Sequence, residues 1–166
     1  MDRFLLPIIG LVVVGLIAAG AWAGLPKTKK GGVGDTLQAH AVSARLITVK
    51  LHPEAAGSGM FDSAPAGKHF VATDVGLCNR AGGSVNQYSF KLELTNGSEL
   101  LSSATQTAFS PQFEGPDSGC EHGWLVFQVP DGQVPKALKY RYDGTDGSTH
   151  YGNHRDQEHD RFSWTL

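Results

Sequence analysis

Residues 88–97 run Tyr-Ser-Phe-Lys-Leu-Glu-Leu-Thr-Asn-Gly. Tyr88, Phe90, Leu92 and Leu94 share one phase of a period-two pattern, and Ser89, Lys91, Glu93 and Thr95 share the other. Successive side chains of a strand point to opposite faces, so this alternation predicts a strand with one buried face and one wet face. Asn96-Gly97 follows at once. That pair favours a two-residue type I′ turn, whose central residues both need positive φ. The stretch therefore predicts a hairpin returning along Ser98–Leu101.

Working outward, the same period recurs. Lys68–Asn79 places Val71, Thr73, Val75 and Leu77 in phase, and Arg45–Leu51 alternates loosely. Gly123–Val129 (GWLVFQV) is apolar enough for a buried strand, with Trp124, Val126 and the neighbourhood of Phe127 as core, and Pro130-Asp131-Gly132 ends it. Gly123 lets that strand start in a tight space. Lys136–Tyr142 and Arg161–Leu166 supply two more strands, with Leu138, Tyr140, Tyr142, Phe162 and Trp164 in phase. His52–Gly67 and Pro111–Gly119 are rich in turn residues. Short strands with such punctuation predict an all-β, immunoglobulin-like β-sandwich over residues 36–166.

The first 35 residues are different. Phe4–Leu25 carries no charge across 22 positions, and roughly 20 apolar residues cross a bilayer core of about 30 Å. The run is longer than the apolar region of a cleaved signal peptide. It therefore predicts one N-terminal transmembrane helix, a signal anchor over residues 1–25, with partnership to the membrane through residues 4–25. Ala21-Trp22-Ala23 offers the alternative of cleavage after Ala23 and secretion. Residues 26–35, with Lys27, Lys29, Lys30 and several glycines, are expected to be a linker. Those lysines favour a cytoplasmic C-terminal side by the positive-inside rule, whereas the cysteines and the sandwich favour the outside. The expectation is a single-pass protein of the cell membrane with its domain extracytoplasmic.

Several strings resemble a known family. Gly67-Lys68-His69-Phe70-Val71 with Leu77-Cys78-Asn79, then Tyr88-Ser89-Phe90-Lys91-Leu92 with Asn96-Gly97, and Gly123 to Pro130 are similar to the telokin-like, immunoglobulin-like domain of unknown function in exported or lipid-anchored bacterial proteins. Secreted mycobacterial-type immunogenic proteins share that fold. The resemblance implies a sandwich outside the cytoplasmic membrane and no known catalysis. The chain departs from lipid-anchored members in having no lipobox Cys, and its long His-containing segment before the last strand is not part of their pattern.

The two cysteines, Cys78 and Cys120, sit at the end of one expected strand and the start of another. If those strands are antiparallel neighbours the thiols come within bridging distance, and a disulfide belongs to an oxidising compartment; two separate buried thiols are the alternative. Neither CxxC nor a G-x-S-x-G elbow occurs, which leaves zinc-ribbon, thioredoxin and hydrolase chemistry without support. Asp117-Ser118-Gly119 is similar to a protease nucleophile motif, but Pro116 precedes it. Gly31-Gly32-Val33-Gly34 has no following Lys-Ser/Thr, so it is not a phosphate loop. Glu93 and Glu99 flank a turn and form no acid–base pair.

What remains is binding. His150, His154 and His159 lie among Asp143, Asp146, Asp156, Glu158 and Asp160, a ligand set able to hold zinc or copper; segment 143–160 carries the alternative of an envelope metal-binding protein. Phe61, Phe109, Phe113 and Tyr151 fall in expected loops, where aromatics are enriched at contact surfaces. No cofactor is expected, and the partner is an unspecified protein or small ligand outside the membrane. The net charge is −2. After Lys30 there are 15 acidic and 10 basic residues, a formal −5, which disfavours nucleic acid and anionic lipid.

Overall fold

The structure, a computed structural model, describes residues 27–39, 42–53, 63–80, 85–103, 109–141 and 161–166. The membrane stretch 4–25 and the segment 142–160 lie outside them. Among the described residues there are nine strands: β1 (Lys29–Gly32), β2 (Thr36–Gln38), β3 (Val42–Leu51), β4 (Lys68–Asn79), β5 (Phe90–Leu94), β6 (Glu99–Leu101), β7 (Gly119–Pro130), β8 (Pro135–Arg141) and β9 (Arg161–Thr165). They form a five-stranded sheet in the order β1-β9-β8-β5-β6 and a four-stranded sheet in the order β2-β3-β4-β7. Of the strand-to-strand pairings among the described residues, β1 with β9 is the parallel one and the rest are antiparallel.

The described residues are all-β, apart from one 3-10 turn, and the sheets enclose one main core. Alternation explains it: Phe90, Leu92 and Leu94 of β5, Leu138 and Tyr140 of β8, and Phe162 and Trp164 of β9 turn inward, against Val71, Val75 and Leu77 of β4 and Leu125, Phe127 and Val129 of β7. Each such side chain contributes about 1.5–3 kcal/mol by leaving water. Rings run in sequence across the core, Phe113–Phe90–Tyr140–Phe162–Trp164, with centroids 5.1–5.7 Å apart. The Trp164 indole N–H donates to the carbonyl of Asp35 at 3.0 Å, fastening the start of the chain to its last strand.

Several expectations change. The stretch 26–35, expected as a linker, contains β1, because β9 offers it backbone pairing that needs no side-chain pattern: Gly31 faces Trp164 and Gly32 faces Thr165. Tyr88 is exposed rather than core, since Gln87–Ser89 is a 3-10 turn capped by Asn86, whose side chain accepts from the Tyr88 N–H at 2.9 Å. The hairpin at 96–97 forms with another turn. Gly97 alone has positive φ, its N–H donates to the Leu94 carbonyl, and Leu94 N–H donates to Ser98. That is a three-residue loop closed by a left-handed glycine.

Strand β7 is longer than expected, starting at Gly119, and its middle, Leu125–Phe127, is buried on both faces. Phe127 points into the main core, so Trp124 and Val126, out of phase with it, belong to a second cluster on the outside. Gly123 does sit in a tight space: a Cβ there would lie 2.6 Å from the Phe113 backbone nitrogen. The strip Pro111–Phe113 crosses at that point, with Phe113 N–H donating to Trp124 and Trp124 N–H donating to Pro111. This strip carries Phe113 inward, where it is 1% exposed and edge-on to Phe90. Phe113 is a core residue, not a surface contact.

Candidate functional site

The cysteines occupy facing positions. β4 and β7 pair over twelve rungs, and Cys78 lies opposite Cys120 on the rung before Asn79 and Gly119. Their Cα atoms are 3.9 Å apart and the sulfurs are bonded. Buried Asn79 donates to the carbonyls of Pro116 and Asp117 at 3.3 and 3.2 Å, holding the loop that leads to Cys120. Ser118 within it is exposed.

The outer face of the four-stranded sheet carries an apolar patch. Phe70, Ala72 and Val126 are buried there, with Ala64, Phe109 and Trp124 packed on them. Phe109 and Trp124 rings lie 4.9 Å apart, and the Lys50 ammonium stands over both, 5.3 and 5.0 Å from their centroids. Such cation–π contacts contribute about 0.5–1 kcal/mol when exposed. Phe109 is thus brought to a surface cluster, as a satellite of packing. Beside it, burial raises the Asp74 carboxyl above its ordinary value, and His122, 3.9 Å away, partly offsets this. At one end of the same sheet, His52 stacks on His69 at 4.0 Å, and His69 lies 3.3 Å from Asp131.

The outer face of the five-stranded sheet carries a cluster of charges at one end. Because Phe90, Leu92, Tyr140 and Phe162 point inward, their neighbours Lys91, Lys139, Arg141 and Arg161 must point outward. They line a groove of about 200 Å³ together with Thr28 and Glu99. Lys139 bonds Glu99 at 2.9 Å and Glu93 at 3.1 Å, and Lys136 reaches Glu93 at 3.1 Å. These contacts hold the Glu93 carboxyl below its usual range, through Lys139 first and Lys136 next. Glu99 in turn raises Lys139, with Glu93 adding to it against the opposing cost of burial.

Among the expected sites, His150, His154, His159, Phe61 and Tyr151 lie outside the described residues, as does Tyr142. No group of three metal-ligating side chains occurs among the described residues, and no helix there is long and apolar enough to cross a membrane. The groove was missed in the sequence. Its residues sit on the polar phase of three strands, and only the pairing of β5, β8 and β9 brings them together.

The fold and disulfide define a class, a disulfide-bridged β-sandwich. No protein-family model and no curated relative matches the chain. Solved structures do. The secreted protein MPT63 of Mycobacterium tuberculosis superposes with a TM-score of 0.53 at 10% identity, over 84% of this chain and 98% of that one. The yjhA protein of Bacillus subtilis superposes with a TM-score of 0.56 at 16% identity, over 82% and 99%. A putative lipoprotein of the same organism, ycdA, gives 0.49 at 13% identity, over 79% and 38%. At such identities the likeness to MPT63 and yjhA establishes the sandwich alone.

Proposed function

We propose that the chain is a single-pass membrane protein that presents a non-catalytic, immunoglobulin-like sandwich outside the cytoplasmic membrane as a binding module. The bridge between Cys78 and Cys120 carries this reading. A disulfide joining two partly solvent-facing strand positions persists where the medium is oxidising, and thiol-reducing systems keep the cytoplasm otherwise. The uncharged run 4–25 supplies the tether, and the secreted MPT63 supplies a precedent for the fold outside the cell. The bridge opposes the positive-inside argument from Lys27, Lys29 and Lys30, and it outweighs it because a bond must form where its oxidant is.

A reporter fused after Leu166 tests the orientation. One that is active only in the exported compartment agrees with the proposal, and a cytoplasmic signal overturns it. Thiol labelling of denatured, unreduced protein checks the same point: negligible labelling is expected, and full labelling removes the support.

A further inference from the structure

We propose that the charged groove on the five-stranded sheet seats phosphates of anionic lipid headgroups and holds the sandwich against the membrane surface. The inference rests on the membrane-anchored reading above and adds to it a ligand class and an orientation.

Register supplies the first observation. Lys91 faces Lys139, and Arg141 faces Arg161, on adjacent strands. Like charges directly opposite on neighbouring strands destabilise a sheet. Lys139 is answered by Glu93 and Glu99. Lys91, Arg141 and Arg161 have no ion pair among the described residues. The Arg161 Nε is buried and has no hydrogen-bond acceptor there. A guanidinium can only donate, and leaving a buried donor unmet is costly. An oxyanion in the groove separates the like charges and accepts from the outer guanidinium N–H groups of Arg141 and Arg161, which line it. Guanidinium forks match phosphate oxygens in pairs, with ammonium groups adding point charge.

Position supplies the second observation. Thr28 lines the groove, and β1 begins at Lys29 beside β9, level with Phe162. Arg161, Arg141 and Ser89 lie at that same end of the sheet. The uncharged run ends at Leu25, three residues before Thr28. Three extended residues span at most about 10 Å. That is about one Debye length at physiological salt, so the groove's cations sit within electrostatic reach of a headgroup layer. The groove volume, about 200 Å³, is below the roughly 300–1,000 Å³ usual for a complete drug-sized ligand, and suits one end of a larger molecule.

The formal −5 after Lys30 does not contradict this. Asp143, Asp146, Asp156, Glu158 and Asp160 supply five of its 15 acidic residues within 142–160, where Arg155 is the one basic residue. The remaining residues after Lys30 are near neutrality, and the cations among them gather on one face.

The test uses the full chain reconstituted into vesicles of phosphatidylcholine, or of phosphatidylcholine mixed with phosphatidylglycerol, with the acylation rate of each lysine read by mass spectrometry. Lys91 should label about fivefold more slowly in the anionic vesicles, the factor corresponding to about 1 kcal/mol per surface cation, and high salt should erase the difference. Lys50, on the opposite sheet, should label equally in both. The Arg141→Gln/Arg161→Gln double variant should lose the protection while keeping its β-sheet circular dichroism. Equal labelling of Lys91 in both vesicles overturns the proposal. Protection by added pyrophosphate but not by phosphatidylglycerol also overturns it, assigning the groove to a soluble phosphate. Flotation separates the underlying reading: a chain that floats with anionic vesicles only, with Lys91 protected, keeps the groove and rejects the anchor.

Discussion

Removing the bridge between Cys78 and Cys120 should weaken the fold through the unfolded chain more than through the folded one. The two residues are separated by 42 positions. Chain-entropy theory gives a loop of that length roughly −13 cal/mol/K, or about 4 kcal/mol at 25 °C. In the native state the twelve rungs of β4 and β7 remain, so little native enthalpy is lost. At about 2.1 cal/mol/K per residue, a sandwich of about 130 residues has an unfolding entropy near 0.28 kcal/mol/K, and 4 kcal/mol then lowers Tm by about 14 °C. The Cys78→Ala/Cys120→Ala variant is the right perturbation, because a single substitution leaves a thiol free to couple two molecules. Thermal unfolding by circular dichroism, on the full chain in detergent, reads the change, and the same fall should follow reduction of the native protein. A loss under about 1 kcal/mol would refute the reasoning, since it would mean that the unfolded chain already holds residues 78 and 120 together.

Other perturbations act on single contacts. Gly123→Ala drives a Cβ into the backbone of Gln112 and Phe113 and should cost about 3 kcal/mol. Gly97→Ala meets nothing within 4 Å at a φ of 86° and should cost only about 1–2 kcal/mol; urea denaturation checks the order, and a reversed order sinks the close-approach argument. Asp74 has a raised folded value, so what it contributes is present below the unfolded carboxylate value of about 3.9 and lost as pH rises through the folded one. Asp74→Asn should therefore raise Tm at pH 7 and leave it unchanged at pH 3, and a lowered Tm at pH 7 contradicts the burial cost. Glu93 is the opposite case: its depressed folded value gives stability that is present above about 4.3 and lost as pH falls through the folded value. Glu93→Gln should cost under about 1 kcal/mol at pH 7, with the difference from wild type fading in acid and in high salt; a loss independent of pH would show that the carboxylate charge is not the cause.

Much of the sandwich was legible because period-two alternation is a local signal. β4 spans Lys68–Asn79 as the pattern predicted, and β8 and β9 fall within a residue of expectation. Where the reading failed, the deciding contact was distant. Lys29–Gly32 has no alternation of its own and becomes a strand because β9, about 130 residues later, offers it an edge. Phe113 looks like a loop aromatic until the strip 111–113 is seen crossing Gly123, a contact set by the missing side chain of a residue ten positions away. Trp124 and Val126 could be recognised as packed, but not as belonging to a different face from Phe127, because β7 is apolar on both sides over 124–127. The cysteines were legible as a pair only on the assumption that β4 and β7 are neighbours, which no local pattern declares.

The two outer faces of the sandwich differ in what they can offer a partner, and the difference follows from the strands. On the four-stranded sheet, the outward residues Phe70, Ala72, Trp124 and Val126 are apolar, and the chain itself covers them with Ala64, Phe109 and the Lys50 stem. On the five-stranded sheet, the outward positions Lys91, Glu93, Lys139, Arg141 and Arg161 carry charge, which keeps that end of the face wet, and the groove there stays open. A whole-chain charge averages over these faces and over the acidic stretch 142–160. An electrostatic partner instead responds to charges within about 8–10 Å, a distance shorter than the separation of opposite sides of a sandwich whose sheets alone pack about 10 Å apart. The acidity of the whole therefore excludes little about the end of the five-stranded sheet beside Thr28, where Lys91, Arg141 and Arg161 gather at the point at which the chain comes from its uncharged run.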